Sequence, residues 1–151
     1  MTPTIDKQFV LNHNLRDVIR TGSQEAVREY MQVFSQLTPR EKGIKAIRQL
    51  RFYDSGYIEE IPETIVHSTN GNYKCRSGWF NTVFWNLEAL AAEGILDESQ
   101  SKKVLAVQTD INKRLQTSLT KREDIDETNA ILRETIEHLI TRYQIKPEEF
   151  V

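Results

Sequence analysis

A chain of 151 residues, 38% hydrophobic and 28% charged, has the size of one typical domain and enough apolar material for a core without covalent staples. Its formal net charge of −2 excludes a whole-molecule field that would draw it toward phosphate or an anionic membrane, so any such affinity needs a local patch. The single cysteine, Cys75, excludes an internal disulfide framework and any four-cysteine or Cys2His2 zinc site, which fits a reducing, cytoplasmic setting.

The opening MTPTIDKQFVLNHNLRD lacks a basic start followed by an apolar run, so no secretory leader is expected. No apolar stretch approaches the ~20 residues that span a bilayer, and no membrane partner is expected. The first helical window is 5–20, with Phe9, Val10, Leu15, Val18 and Ile19; Gly22 then suits a stop and Ser23 a start. A second helix over 24–36 places Val27, Tyr30, Met31, Phe34 and Leu37 at three- and four-residue steps on one side.

Residues 37–53, LTPREKGIKAIRQLRFY, hold five basic side chains and one acidic one. Thr38 as N-cap, Pro39 at the first helical position and Glu41 three residues after the cap predict a capping box. Ile44, Ile47 and Leu50 share one face, while Lys42, Lys45 and Arg48 fan across the other. Arg40 and Arg51 fall on the apolar side near the ends, where their stems can lie along apolar surface. The stretch reads first as an amphipathic helix with a positive back.

Over 54–78 helical periodicity breaks at three glycines, Pro62 and the sequence TNGN. Short strands at 64–67 and 73–76 are expected to pair around Asn70-Gly71, with an irregular insert as the alternative. Helix returns from Trp79, with Phe80, Val83, Phe84, Leu87, Leu90 and Ala91 covering about 140° of arc. Gly94 stops it. Asp97 caps the next helix, with Gln100 placed for a second capping box, and the seam runs Val104, Val107, Ile111, Leu115, Leu119. A last helix over 121–143 carries Ile125, Leu132, Ile136, Leu139 and Ile140.

Residues 101–122 hold six basic groups and one acidic, and 123–137 six acidic and one basic. An antiparallel hairpin would set those blocks side by side, whereas one long continuous helix would keep them apart; Thr120 with Glu123 offers a third capping box, which favours the hairpin. The expected fold class is therefore all-α. We expect a single domain over 1–151, a bundle of five or six helices with an irregular or short β-hairpin insert around 54–78. Its core should gather Phe34, Ile44, Ile47, Leu50, Trp79, Val83, Phe84, Leu87, Ile111, Leu115, Leu132 and Ile136.

Chemistry-bearing patterns are few. Trp85 points away from the wide apolar face, with only Ala89 and Ala92 beside it: either this helix is central and buried on two sides, or the indole is exposed as a partner-binding anchor. Ile131, His138 and Ile145 repeat at seven-residue steps opposite the main seam of the last helix, which points either to another packing partner, a second copy of the chain being one candidate, or to a helix sandwiched within its own chain. Lys42, Lys45 and Arg48, with Lys102, Lys103, Lys113 and Arg114, would line a nucleic-acid groove if their two helices lay side by side. Against that groove stand Asp110, the nearby acidic block and the negative total.

Cys75 with His67 would make a nucleophile and base across the hairpin, but nothing supplies an orienting third group. The carboxylates of Glu59, Glu60 and Glu63 resemble those of magnesium-binding nucleotide pyrophosphatases, but Pro62 interrupts the helix such a site needs. Arg133 and His138 have the Arg-x4-His spacing of HEPN-type ribonucleases, also small helical proteins. The resemblance covers two residues; it implies RNA cleavage by a dimer, and Glu134 stands where that family commonly has Asn, Asp or His. No cofactor or metal is expected. The reading that leads is a non-enzymatic protein that binds another protein, as a regulator, inhibitor or small subunit of an assembly. A nucleic-acid-binding subunit is the alternative, and a ribonuclease a distant one.

Overall fold

The computed structural model describes residues 5–53, 73–117 and 122–150, with side chains described at all of these but 73–79, 115–117 and 122. Among the described residues the chain is helical, with no strand. Seven α-helices follow in order: α1 Lys7–Asn12, α2 Leu15–Ile19, α3 Gln24–Ser35, α4 Pro39–Phe52, α5 Tyr73–Ala92, α6 Glu98–Thr117 and α7 Arg122–Tyr143. A 3-10 turn at Pro147–Glu149 comes last.

This corrects the expected count of five or six, because 5–20 forms two helices. α1 ends at His13, in extended conformation, and α2 begins after Asn14, whose backbone N–H donates to the Asp17 carboxylate at 3.1 Å. The hairpin also loses half its material. Tyr73 opens α5, so 73–76 is helix, while 64–67 and the Asn70-Gly71 turn lie outside the described residues.

The start of α4 is the predicted box. Thr38 Oγ1 accepts from the Glu41 N–H at 3.1 Å, and the Glu41 carboxylate accepts from the Thr38 N–H at 2.9 Å. Those bonds hold the Glu41 carboxyl below its ordinary range, the backbone donor at Thr38 contributing most. The box expected at α6 is only half formed. Asp97 accepts from the Gln100 N–H at 2.8 Å, but the Gln100 amide turns inward and donates to Thr135 Oγ1 at 3.2 Å. The Asp97 N–H goes instead to His138 Nε2, at 3.2 Å. A half-buried side chain of α7 thus replaces the expected local cap.

Two helices end in a left-handed residue that lets late amides return to earlier carbonyls. Gly94, at φ 73°, follows α5 and allows Ile95 N–H to reach Leu90 O at 2.9 Å. Gln144, at φ 51°, does the same after α7, with Ile145 N–H on Ile140 O at 3.1 Å.

Among the described residues the buried apolar side chains form two clusters. The larger gathers Ile47 and Leu50 of α4, Phe80, Val83, Phe84 and Leu87 of α5, Val104 and Ile111 of α6, and Ile125, Leu132, Ile136 and Leu139 of α7. The smaller, beneath α1 to α3, contains Ile5, Val10, Val18, Ala26, Tyr30 and Leu37. Of the expected core, Phe34 and Ile44 are half-buried at its edges, while the side chains of Trp79 and Leu115 lie outside the described set. α4 packs against α7 at close range. A Cβ on Gly43 would stand 3.2 Å from Tyr143 Cδ2, tighter than ordinary contact, so glycine there sets the approach of the two helices.

α6 and α7 run antiparallel. Lys103 pairs with Glu134 at 3.1 Å near one end, and Arg114 with Asp124 at 3.3 Å and with Glu127 near the other. The segregated blocks therefore neutralise one another across the hairpin. Thr120, proposed as its cap, lies outside the described residues. No described helix is long and apolar enough to cross a membrane.

Candidate binding surface

The positive back of α4 has an internal task. The last carbonyls of a helix lack partners within it and carry partial negative charge. At the end of α1, Phe9 O accepts from His13 N–H at 2.9 Å, and Lys45 Nζ donates to Val10 O at 2.7 Å and His13 O at 2.8 Å. Arg48 Nη1 reaches Leu11 O at 3.2 Å and Asn12 Oδ1 at 2.9 Å. Its Nη2 donates to Glu149 O at 3.1 Å, so one guanidinium holds segments from both ends of the sequence.

The end of α7 receives the same treatment. Arg40 donates to Tyr143 O at 3.0 Å, to Gln144 O at 3.2 Å and to the Glu149 carboxylate at 2.7 Å. Arg51 lies over the Phe150 ring, its Cζ 5.1 Å from the centroid. Arg142 caps the turn after α5 in turn, on Gly94 O and Ile95 O. Burial pushes the Lys45 amine down to about 8, with the Arg48 charge adding to the effect and Asp17 opposing it.

The nucleic-acid set therefore does not assemble into an open cationic groove. Lys45 and Arg48 are committed to carbonyls. Lys42 pairs with Glu93 at 3.8 Å, Lys102 with Glu98 at 3.3 Å, and Lys103 and Arg114 with α7 carboxylates; Lys113 also has a partner. The neighbours of α4 along its length are chiefly α7 and α1, and α6 packs on α5 and α7.

The second apolar line on α7 is also absorbed. Ile131 and Ile145 are each 4% exposed and belong to the larger cluster, so the partner they were expected to meet is their own chain. His138 sits against the start of α6, its Nδ1 3.9 Å from the Asp97 carboxylate. Arg133 and His138, five residues apart on one helix, point about 140° away from each other. With Nε2 held by the Asp97 amide, they do not form a joint site within one chain. Cys75 lies in α5 with its side chain outside the described set. His67 and 59–63 are outside the described residues altogether. No three His, Cys, Asp or Glu side chains converge as metal ligands among the described residues.

Trp85 behaves differently. Its indole is 76% exposed in the middle of α5, and it is the largest of the five large hydrophobic side chains that are exposed among the described residues. One helical turn further on, Ala89 borders an open groove of about 220 Å³ between α3, α4 and α5. Phe34, Ala46, Leu50 and Leu90 give its lining an apolar floor, and Lys42, Lys45, Gln49, Asn86 and Glu93 add polar groups. Lys42 Nζ stands 5.1 Å from the Phe34 ring centroid. Three turns of α4 from that end, Phe52 is 66% exposed. The groove escapes sequence reasoning because its two walls meet only through tertiary packing, whereas the angular position of Trp85 was readable from α5 alone.

No family model, curated protein or solved structure matches the chain.

Proposed function

We propose that this chain is a non-enzymatic binding protein that works by docking another protein surface on α5, as a regulator, inhibitor or small subunit acting in the cytoplasm. The carrying observation is the indole of Trp85, held in solvent beside an apolar groove on a helix whose other faces are packed. Leaving a tryptophan in water forgoes about 2–3 kcal/mol of burial, and tryptophan is enriched among residues that dominate association energies. The internal commitment of Lys45, Arg48, Lys103 and Arg114 supports this reading over a nucleic-acid surface.

The test is to compare wild type and Trp85→Ala as bait. Because the indole makes no core contact, the variant should melt within about 0.5 kcal/mol of wild type while losing its bound protein. Equal capture by both, with folding intact, would refute the proposal. The salt-dependence of binding to a labelled RNA or DNA strand provides the counter-test, and we expect no measurable binding at about 50 mM salt.

A further inference from the structure

Resting on that binding role for Trp85, we infer that the partner it meets is a second copy of this chain, in a two-fold pairing where each indole enters the other's α3–α4–α5 groove. The indole and the groove lie on adjoining sides of α5, about 90° apart around its axis, and a two-fold axis between them brings each projection to the other copy's cavity. The operation that seats one tryptophan seats the other and closes the assembly at two. Trp85 and Ala89 are four positions apart on α5, so projection and cavity rim are separated by about 6 Å along the helix.

Size agrees. Apolar cavities of about 150 Å³ accept benzene, and the groove here offers about 220 Å³, room for the larger indole. Chemistry agrees as well. The ring would lie among Phe34, Leu50 and Leu90. Asn86, whose Nδ2 already donates to Thr82 O at 2.7 Å, keeps Oδ1 as an acceptor for the indole N–H. The Lys42 ammonium, already near an aromatic face, has a second one within its reach in the pair. Ala89 and Ala92 beside Trp85 place no bulk in the way of an approaching helix.

The experiment uses the full chain. Sedimentation velocity between about 1 and 200 μM should show a monomer–dimer equilibrium, with midpoint in the micromolar range characteristic of a modest interface. 5-Fluorotryptophan 19F spectra should show the Trp85 resonance, assigned by its absence in Trp85→Phe, shifting with concentration. Trp85→Ala should weaken pairing at least about thirtyfold. Ala89→Glu, at an exposed position, should do likewise by placing a carboxylate in the groove.

Mixing those two variants is decisive. The intact indole of the second fits the intact groove of the first, so a mixed dimer should form at concentrations where neither variant pairs alone. Failure of the mixed dimer while wild type pairs would overturn the two-fold seating. A wild type that stays monomeric to 200 μM overturns it too. If Trp85→Ala then loses a different protein from the bait experiment, the binding role stands without self-association; if it loses none, both readings fall.

Discussion

Lys45 gives an unusual dependence of stability on pH. Its amine is held near 8 in the folded chain, against 10.5 for an open lysine, chiefly because burial disfavours its charged form. Below pH 8 both states carry the proton, and the folded state bears the full cost of desolvating it. Between 8 and 10.5 the folded state releases the proton first, the unfolded chain binds more protons, and stability must rise with pH. A displacement of that size corresponds to a ceiling of about 3 kcal/mol, which partial solvent access reduces to about 1–2 kcal/mol.

Urea unfolding at pH 7.5, 8.5 and 9.5 measures the slope, against Lys45→Met as the reference. The thioether keeps the stem's packing but has no proton to release. Leaving Val10 O without that donor lowers the variant's stability by about 1–3 kcal/mol at every pH, so only the difference in slope reports the titration. The window stops short of Tyr30, whose hydroxyl burial pushes up to about 12. Above pH 10 that group reverses the trend, since the unfolded phenol ionises first. Parallel slopes for wild type and Lys45→Met would refute the argument, as would an amine resonance titrating near 10.5.

Ile47, 0% exposed between α4 and the rest of the larger cluster, should cost about 2–5 kcal/mol as Ile47→Ala, read from the urea midpoint. Gln144 occupies a left-handed conformation that glycine adopts without strain, so Gln144→Gly should raise stability by about 0.5–1 kcal/mol; a loss would mean its side chain has an unrecognised role. The Arg40 guanidinium and the Lys146 N–H hold the Glu149 carboxyl at about 2, so that tie is complete above pH 4.5 and is lost as pH falls toward 2. Amide protection at residues 145–150, taken relative to the intrinsic exchange rate at each pH, should fall over that acid range in wild type and be insensitive to it in Glu149→Gln.

The sequence made individual helices legible wherever one rule acted within a few residues. Thr38 and Glu41 close their box through bonds spanning three positions, and Val83, Phe84 and Leu87 fall inward because large apolar side chains recur along α5 at three- and four-residue steps. It was less readable where distant groups compete. Gln100 looked like a local cap, but Thr135 outbids the Asp97 amide for it, and His138 fills the place left open. The break at Asn14 was written in the Asn-x-x-Asp spacing, yet a continuous apolar pattern on both sides masked it. Ile131 and Ile145 looked like a second face because a single-helix projection cannot show that α7 is covered from more than one side. The cationic residues of α4 and α6 were countable, but their destinations, helix ends and facing carboxylates, belong to tertiary structure.

Arg48 binds Leu11 and Asn12 with one amino group and Glu149 with the other. An opening that withdraws this side chain strips support from the earliest helix and the closing turn in the same event. Fraying at the two extremities is thereby correlated, and exchange measurements should find them behaving as one cooperative unit though more than a hundred positions separate them in the chain.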